Sequence, residues 1–348
     1  MKKKHGTRTV MEVLGGLLKG MFGIDPNNAV AHYNRGLAYH EKGMIDEAID
    51  AFKRALEIDP NYAEAHHNLG TSYGKKGMYD EEIAEYKKTI EINPNFAEAH
   101  HNLGVMYVNK GMLDEAISEF KRALEIDPNY AEAHQSLGAG YHAKNMIDEA
   151  IAEWNKAIEI NPNSAEVHQN LGTAYHAKGM LDEEIAEWNK AIEINPNFAE
   201  VHYNLGAAYH TKRMLDEAIA EWKKAMEINP NFAEVHYSLG LAYHAKNMID
   251  EAIAEWNKAI EINPNFADPH HNLGTVYHEK GMLDEAIDAF KRALEIDPNL
   301  AEAHNSLGAG YYYKGEYSLA IKHCDMAIRL GYRIHPELLE ALKPYREK

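Results

Sequence analysis

Cysteine occurs once in this chain, at Cys324. A single thiol excludes a disulfide framework and any cysteine-built metal cluster, and it suits a reducing, cytoplasmic setting. Basic residues are outnumbered: 36 Lys and Arg stand against 54 Asp and Glu, a net charge of −18. Nucleic acid needs a basic stripe to meet its phosphates, so the charge argues against that partner class and against an anionic membrane surface. No apolar run is long enough to span a bilayer. A nucleophile elbow, a phosphate-cradling glycine loop and an isolated carboxylate pair are missing too, so neither enzyme activity nor a bound cofactor is expected.

What the chain has in abundance is repetition. Nine units of 34 residues start at Ala29, Ala63, Ala97, Ala131, Ala165, Ala199, Ala233, Ala267 and Ala301, and the ninth decays after Cys324. A fixed period of this length marks a solenoid, in which each unit packs on its neighbours and the product is an extended surface. The expected organisation is an N-terminal half-repeat over 1–28, nine units over 29–334 and a C-terminal capping helix over 335–348. In the first segment Val10, Leu14, Leu17, Leu18 and Met21 recur at helical spacing, and Ile24-Asp25-Pro26-Asn27 repeats the ending of every later unit. It therefore reads as a degenerate second helix covering the first full unit. A membrane-surface or partner-binding helix is the alternative; a targeting segment fits less well, because Glu12 and Lys19 interrupt the apolar stretch. At the other end, Pro336 starts a helix with Leu338, Leu339 and Leu342 on one side and Glu337, Glu340 and Arg346 outward.

Each unit reads as two helices. The first covers about repeat positions 2 to 14, as in Glu64 to Lys76, and Asn61 with Glu64 resembles a capping box. Lysine at position 14 in all nine units complements the negative end of that helix. Gly77 or Asn145 then supplies a left-handed residue, and Arg213 is expected to strain the same turn. The second helix runs from about Asp80 to Ile92 and stops at Asn93-Pro94-Asn95. Positions 4, 7, 8 and 11 (His66, Leu69, Gly70 and Tyr73) share one stripe, and positions 20, 24 and 27 alternate small, large and small, as in Ala150, Trp154 and Ala157. Trp188, Trp222 and Trp256 are core residues by the same position. Glu82 and Glu184 put a carboxylate at position 20, and a buried unpaired carboxylate would weaken those interfaces.

Leu-Gly-x-x-Tyr followed by Ala, an aromatic, Ala and Pro at these spacings resembles the tetratricopeptide repeat, over about residues 29 to 334. The departures are His32, His66 and their counterparts where Trp is usual, and Tyr332 in place of the closing proline. The resemblance implies an all-α fold, a right-handed superhelical solenoid of antiparallel helix pairs whose first helices line the concave face. The clamp that such domains use on acidic C-termini of chaperones is missing, because position 5 carries no lysine.

Positions 2, 5, 6, 9, 12 and 13 form the opposite stripe, the inner groove in family terms. Position 6 is Asn34, Asn68, Asn102, Asn170, Asn204 and Asn272, with Ser136, Ser238 and Ser306 in the other units. A side-chain amide can pair with the N–H and C=O of an extended peptide. The column is similar to the asparagine ladder in the repeat half of O-linked N-acetylglucosamine transferases; the bland alternative is that Asn is simply common there. Tyr33, His67, His101, Tyr203, Tyr237 and His271 at position 5, and His40, His142, His176, His210, His244 and His278 at position 12, add partly polar rings suited to protein recognition. Glutamates at position 2, Glu64 to Glu302, serve as helix-start residues and leave the groove edge acidic.

The expected function is thus a protein- or peptide-binding scaffold that captures an extended, neutral to basic segment. A self-assembling structural scaffold joined through its ends is one alternative; an assembly factor or cochaperone that binds a folded client is another. The 21 histidines do not suggest metal. Those at position 4 share the core stripe and are expected to be packed and hydrogen-bonded. Those at positions 5 and 12 lie two turns apart, about 10 Å. Protonation of groove histidines below about pH 6.5 would make the groove cationic.

Overall fold

A computed structural model describes residues 28–346, so the half-repeat expected over 1–28 lies almost wholly outside the described residues. Those residues form nineteen helices and no strand. They divide into two compact units at Gly179 and Met180.

The first unit contains α1 (Ala29–Glu41), α2 (Ile45–Ile58), α3 (Ala63–Lys75), α4 (Tyr79–Ile92), α5 (Ala97–Asn109), α6 (Leu113–Ile126), α7 (Ala131–Ala143), α8 (Ile147–Ile160) and α9 (Ala165–Ala177). The second contains α10 (Leu181–Ile194), α11 (Ala199–Thr211), α12 (Leu215–Ile228), α13 (Ala233–Ala245), α14 (Ile249–Ile262), α15 (Ala267–Glu279), α16 (Leu283–Ile296), α17 (Ala301–Tyr313), α18 (Tyr317–Arg329) and α19 (Pro336–Arg346). Within each unit, consecutive helices pack as a solenoid of pairs.

The turn between paired helices follows from its residues. Met78 N–H donates to the Tyr73 carbonyl and Gly77 N–H to the Gly74 carbonyl, with Gly77 at φ 74°. This is a Schellman closure, which needs a left-handed residue. Asn145 and Asn247 adopt it at φ 59° and 60°, and so does Arg213 at 60°, where Cβ crowds the carbonyl without the local hydrogen bonding that suits asparagine to this conformation. The second helix ends where Asp59 or Asn93 accepts, on its side-chain oxygen, the N–H two residues on, at 3.1 Å in both cases.

The capping-box reading is corrected. The residue before α3 is Tyr62, which makes no side-chain cap; among the described first helices only Asn28 and Ser164 cap α1 and α9 with their side chains. Tyr62 packs at a tilt against the Tyr33 ring of its own repeat at 4.9 Å, and Asn61 is held by its backbone in the Asp59 turn. The cap position is therefore used for ring packing onto the first helix of the repeat it closes.

Positions 7, 8, 20, 24 and 27 form the core as the wheel predicts. Leu205, Ala218, Trp222 and Ala225 are buried, and the Trp222 indole donates to the Tyr203 carbonyl at 3.0 Å. A Cβ on Gly206 would stand 2.5 Å from Trp222 Nε1, so that glycine sets the helix separation. Glu82 and Glu184 are buried but not unpaired, which corrects the expectation of orphaned charge. Glu82 accepts from the Tyr86 hydroxyl at 3.1 Å, and its carboxylate occupies room that Gly74 leaves by lacking a side chain.

Lysine 14 does more than meet a helix end. Lys110 reaches Asp80 of the preceding repeat at 2.7 Å, Lys178 reaches Asp148 at 2.5 Å, and Lys212 reaches Asp182 at 2.8 Å. At the C-terminal end α19 lays Leu342 into a buried cluster with Cys324 and Ile334, beside Leu338 and Leu339. Arg346 is not simply outward: it bonds Asp325 at 2.6 Å.

Candidate protein-interaction surface

Position 4 forms a buried network, as its place on the core stripe predicts. His100 Nδ1 lies 2.6 Å from Glu119 Oε2 and its Nε2 lies 3.0 Å from the Pro94 carbonyl. His66, His134, His202 and His236 repeat both contacts with Glu85, Glu153, Glu221 and Glu255. Burial alone would raise the Glu85 carboxyl, but hydrogen bonds from His66 and Lys88 outweigh it and hold it below its ordinary value. The carboxylate partner, nineteen residues on, was not foreseen. The sequence held a signal for it, since Glu stands there in units two to seven, whereas His32 and His270 have Ala51 and Ala289.

Position 5 lies between repeats. The Tyr33, His67, His101, Tyr203 and Tyr237 rings pack against the aromatic residue that closes their own repeat, at 4.9, 4.9, 5.1, 5.1 and 5.0 Å. Several also reach position 6 of the next repeat. Asn68 Nδ2 donates to the Tyr33 hydroxyl at 3.1 Å, and His101 and His271 pair with the Ser136 and Ser306 hydroxyls at 3.0 and 3.2 Å. His67 is buried, and the others are half-buried.

Position 6 borders that contact. Asn34 is exposed, and Asn68, Asn102, Asn170, Asn204 and Asn272 are half-buried. Asn68 gives its second amide hydrogen to the Glu64 carbonyl at 2.9 Å. Both of its donors are committed, so it offers the surface its side-chain carbonyl, an acceptor for N–H groups.

Position 12 lies at the other end of the first helix. His142, His210 and His244 lie 5.7, 5.8 and 5.8 Å from the rings of Trp154, Trp222 and Trp256. His176 is exposed. Burial pushes His67 down to about 4 and also lowers His101, His271 and His40. At His67, His101, His271 and His40 the expected charge change below pH 6.5 therefore moves to lower pH. Among the described residues no group of three or more His, Cys, Asp or Glu is arranged to hold a metal ion. No described helix is long and apolar enough to cross a membrane.

The family model for the TPR repeat matches residues 38–77, 72–111, 106–145, 140–179, 174–212, 214–247, 242–281 and 274–315, and a second tetratricopeptide repeat model matches 24–50. The chain belongs to the tetratricopeptide repeat family. Among solved tetratricopeptide-type structures, MamA is 32% identical over 47% of this chain and 95% of its own, with a TM-score of 0.45. The Cut9–Hcn1 hetero-tetramer of the APC/C is 18% identical over 86% of this chain and 59% of its own, with a TM-score of 0.52. PilF of Pseudomonas aeruginosa is 20% identical over 60% and 94%, also at 0.52. The last two likenesses bear on the fold alone. No curated protein matches the chain.

Proposed function

We propose that this tetratricopeptide chain is a protein-interaction scaffold that holds an extended, neutral to basic segment along its first helices. The observation that carries the reading is Asn68, which Tyr33 and Glu64 fix by both amide hydrogens. A fixed carbonyl at this position accepts from a guest's backbone N–H, or from Lys or Arg, without an ordering cost at binding. Glutamates at position 2 favour a basic guest by charge. Position 5 acts as the support behind this row, since its rings are engaged between repeats.

The test is affinity capture from native lysate with the chain and with a variant carrying Asn68→Ala, Asn102→Ala, Asn170→Ala and Asn204→Ala. Partners lost from the variant support the groove; partners kept by both move the function to another surface.

A further inference from the structure

The third repeat departs from its neighbours at position 12. It alone of the nine carries valine there, Val108, where six others carry histidine. In the fourth, sixth and seventh repeats the histidine ring lies against a tryptophan, and in the second Glu82 fills the room beside Gly74. Val108 is too short to do the same, and its neighbour at position 24 is Phe120 rather than tryptophan. A cavity of about 230 Å³ results, walled by Val105, Val108, Leu113, Phe120, Ala139 and Gly140. Val108 is 40% exposed and Ala139 and Ala143 are exposed, so the cavity opens on the first-helix face.

The other end of α5 has the opposite chemistry. Glu98 and Asp127 line a second cavity of about 360 Å³ together with Phe96 and Tyr130. Burial pushes the Tyr130 phenol up to about 12, and the nearby Glu98, Glu132 and Asp127 carboxylates add to the rise. Positions 2, 5, 6, 9, 12 and 13 of α5 and α7 include Glu98 and Glu132 and no Lys or Arg. Ten helical residues separate Glu98 from Val108, about 15 Å along the axis. An extended guest covers that distance in about four to five residues.

We propose that the third and fourth repeats select a peptide segment carrying an aliphatic side chain for the Val108 cavity and, four or five residues away, an Arg or Lys for the Glu98–Asp127 cavity. This rests on the reading that the face binds extended segments. It adds the two side chains that make the guest specific. Burying one leucine-sized side chain raises affinity by roughly tenfold to a hundredfold, and the carboxylates fix which end of the guest lies at α5's start.

The test is selection of a random dodecapeptide display library on the full chain, on Val108→His and on Glu98→Gln/Asp127→Asn. Val108→His installs the residue that six other repeats carry, and Asn at 127 matches Asn93 in the repeat before, so both variants keep residues the fold already uses. Selection on the unmodified chain is expected to enrich an aliphatic residue four or five positions from Arg or Lys. The best such peptide, labelled with fluorescein, is expected to lose tenfold or more affinity for either variant. Enriched peptides without that pairing, or less than twofold loss with Val108→His, overturn this proposal and leave groove binding standing. No enrichment at all overturns both. Concentration-dependent self-association in sedimentation, abolished by Val108→His, would make the occupant a second copy of the chain and overturn the peptide assignment.

Discussion

His202 and Glu221 meet at 2.6 Å across α11 and α12, while the other nitrogen of the same ring lies 3.0 Å from the Pro196 carbonyl. The two ring nitrogens thus face a carboxylate on one side and a backbone carbonyl on the other. One imidazole thus ties the first helix to its own second helix and to the turn that precedes it. Glu221→Ala leaves a buried ring nitrogen without its partner, which costs about 1–3 kcal/mol. Hydrogen exchange checks this: amides of α11 and α12 are expected to lose protection, and unchanged exchange there would refute the role given to the pair.

Acid should weaken the first unit through His67. Its folded value of about 4 lies below the ordinary 6.5, so the unfolded chain takes up the proton first. Stability from this group is whole above about pH 6.5 and declines as the pH falls towards 4, by about 3 kcal/mol. Burial lowers His101 and His271 as well, and they act in the same direction. Glu82, whose carboxyl burial raises, acts oppositely: its contribution is lost as pH rises through its folded value. His67→Tyr, the residue of repeats one, six and seven, should flatten the acid slope of the melting temperature measured between pH 7.5 and 4.5.

Gly206→Ala should destabilise the second unit by about 1–3 kcal/mol, the usual range for overpacking. The new methyl would stand 2.5 Å from Trp222 Nε1, and the indole is held by its bond to Tyr203. Urea denaturation followed by tryptophan fluorescence reads the change, and a midpoint equal to that of the unmodified chain would contradict it.

Arg213→Gly should raise stability by about 1 kcal/mol. Arg213 adopts φ 60°, a left-handed conformation that costs an L-residue roughly 1–2 kcal/mol. Differential scanning calorimetry of the two chains is the check, with an increase in melting temperature expected.

Much of the fold is legible in the sequence because it is local. The 3.6-residue period places Leu69, Gly70 and Tyr73 on the buried side, and Gly77 marks the left-handed turn. What escapes a wheel is which side chain of another helix arrives at a given place. The Glu partners of the position-4 histidines and the Asp partners of the position-14 lysines lie nineteen and thirty residues away, and no single-helix pattern reports them. The capping box fails for the same reason, since Tyr62 has a ring partner, Tyr33, on another helix. At the candidate surface, residue types at positions 5 and 6 were legible, but not that their rings and amides bond to each other. The Val108 cavity shows in the sequence only as a missing histidine.

The links between neighbours all run at constant offsets. Lysine reaches aspartate thirty residues back, and lysines such as Lys223 lie over the tyrosine twenty residues on, here Tyr243, at 5.9 Å. Each link refers only to the adjoining copy, never to an absolute place in the chain. Removing one full period, for example residues 233–266, would set residues 199–232 against a sequence, 267–300, that offers the same lysine, tyrosine, histidine and aspartate in the same order. The number of copies is therefore a quantity that duplication or loss can change without redesigning a joint.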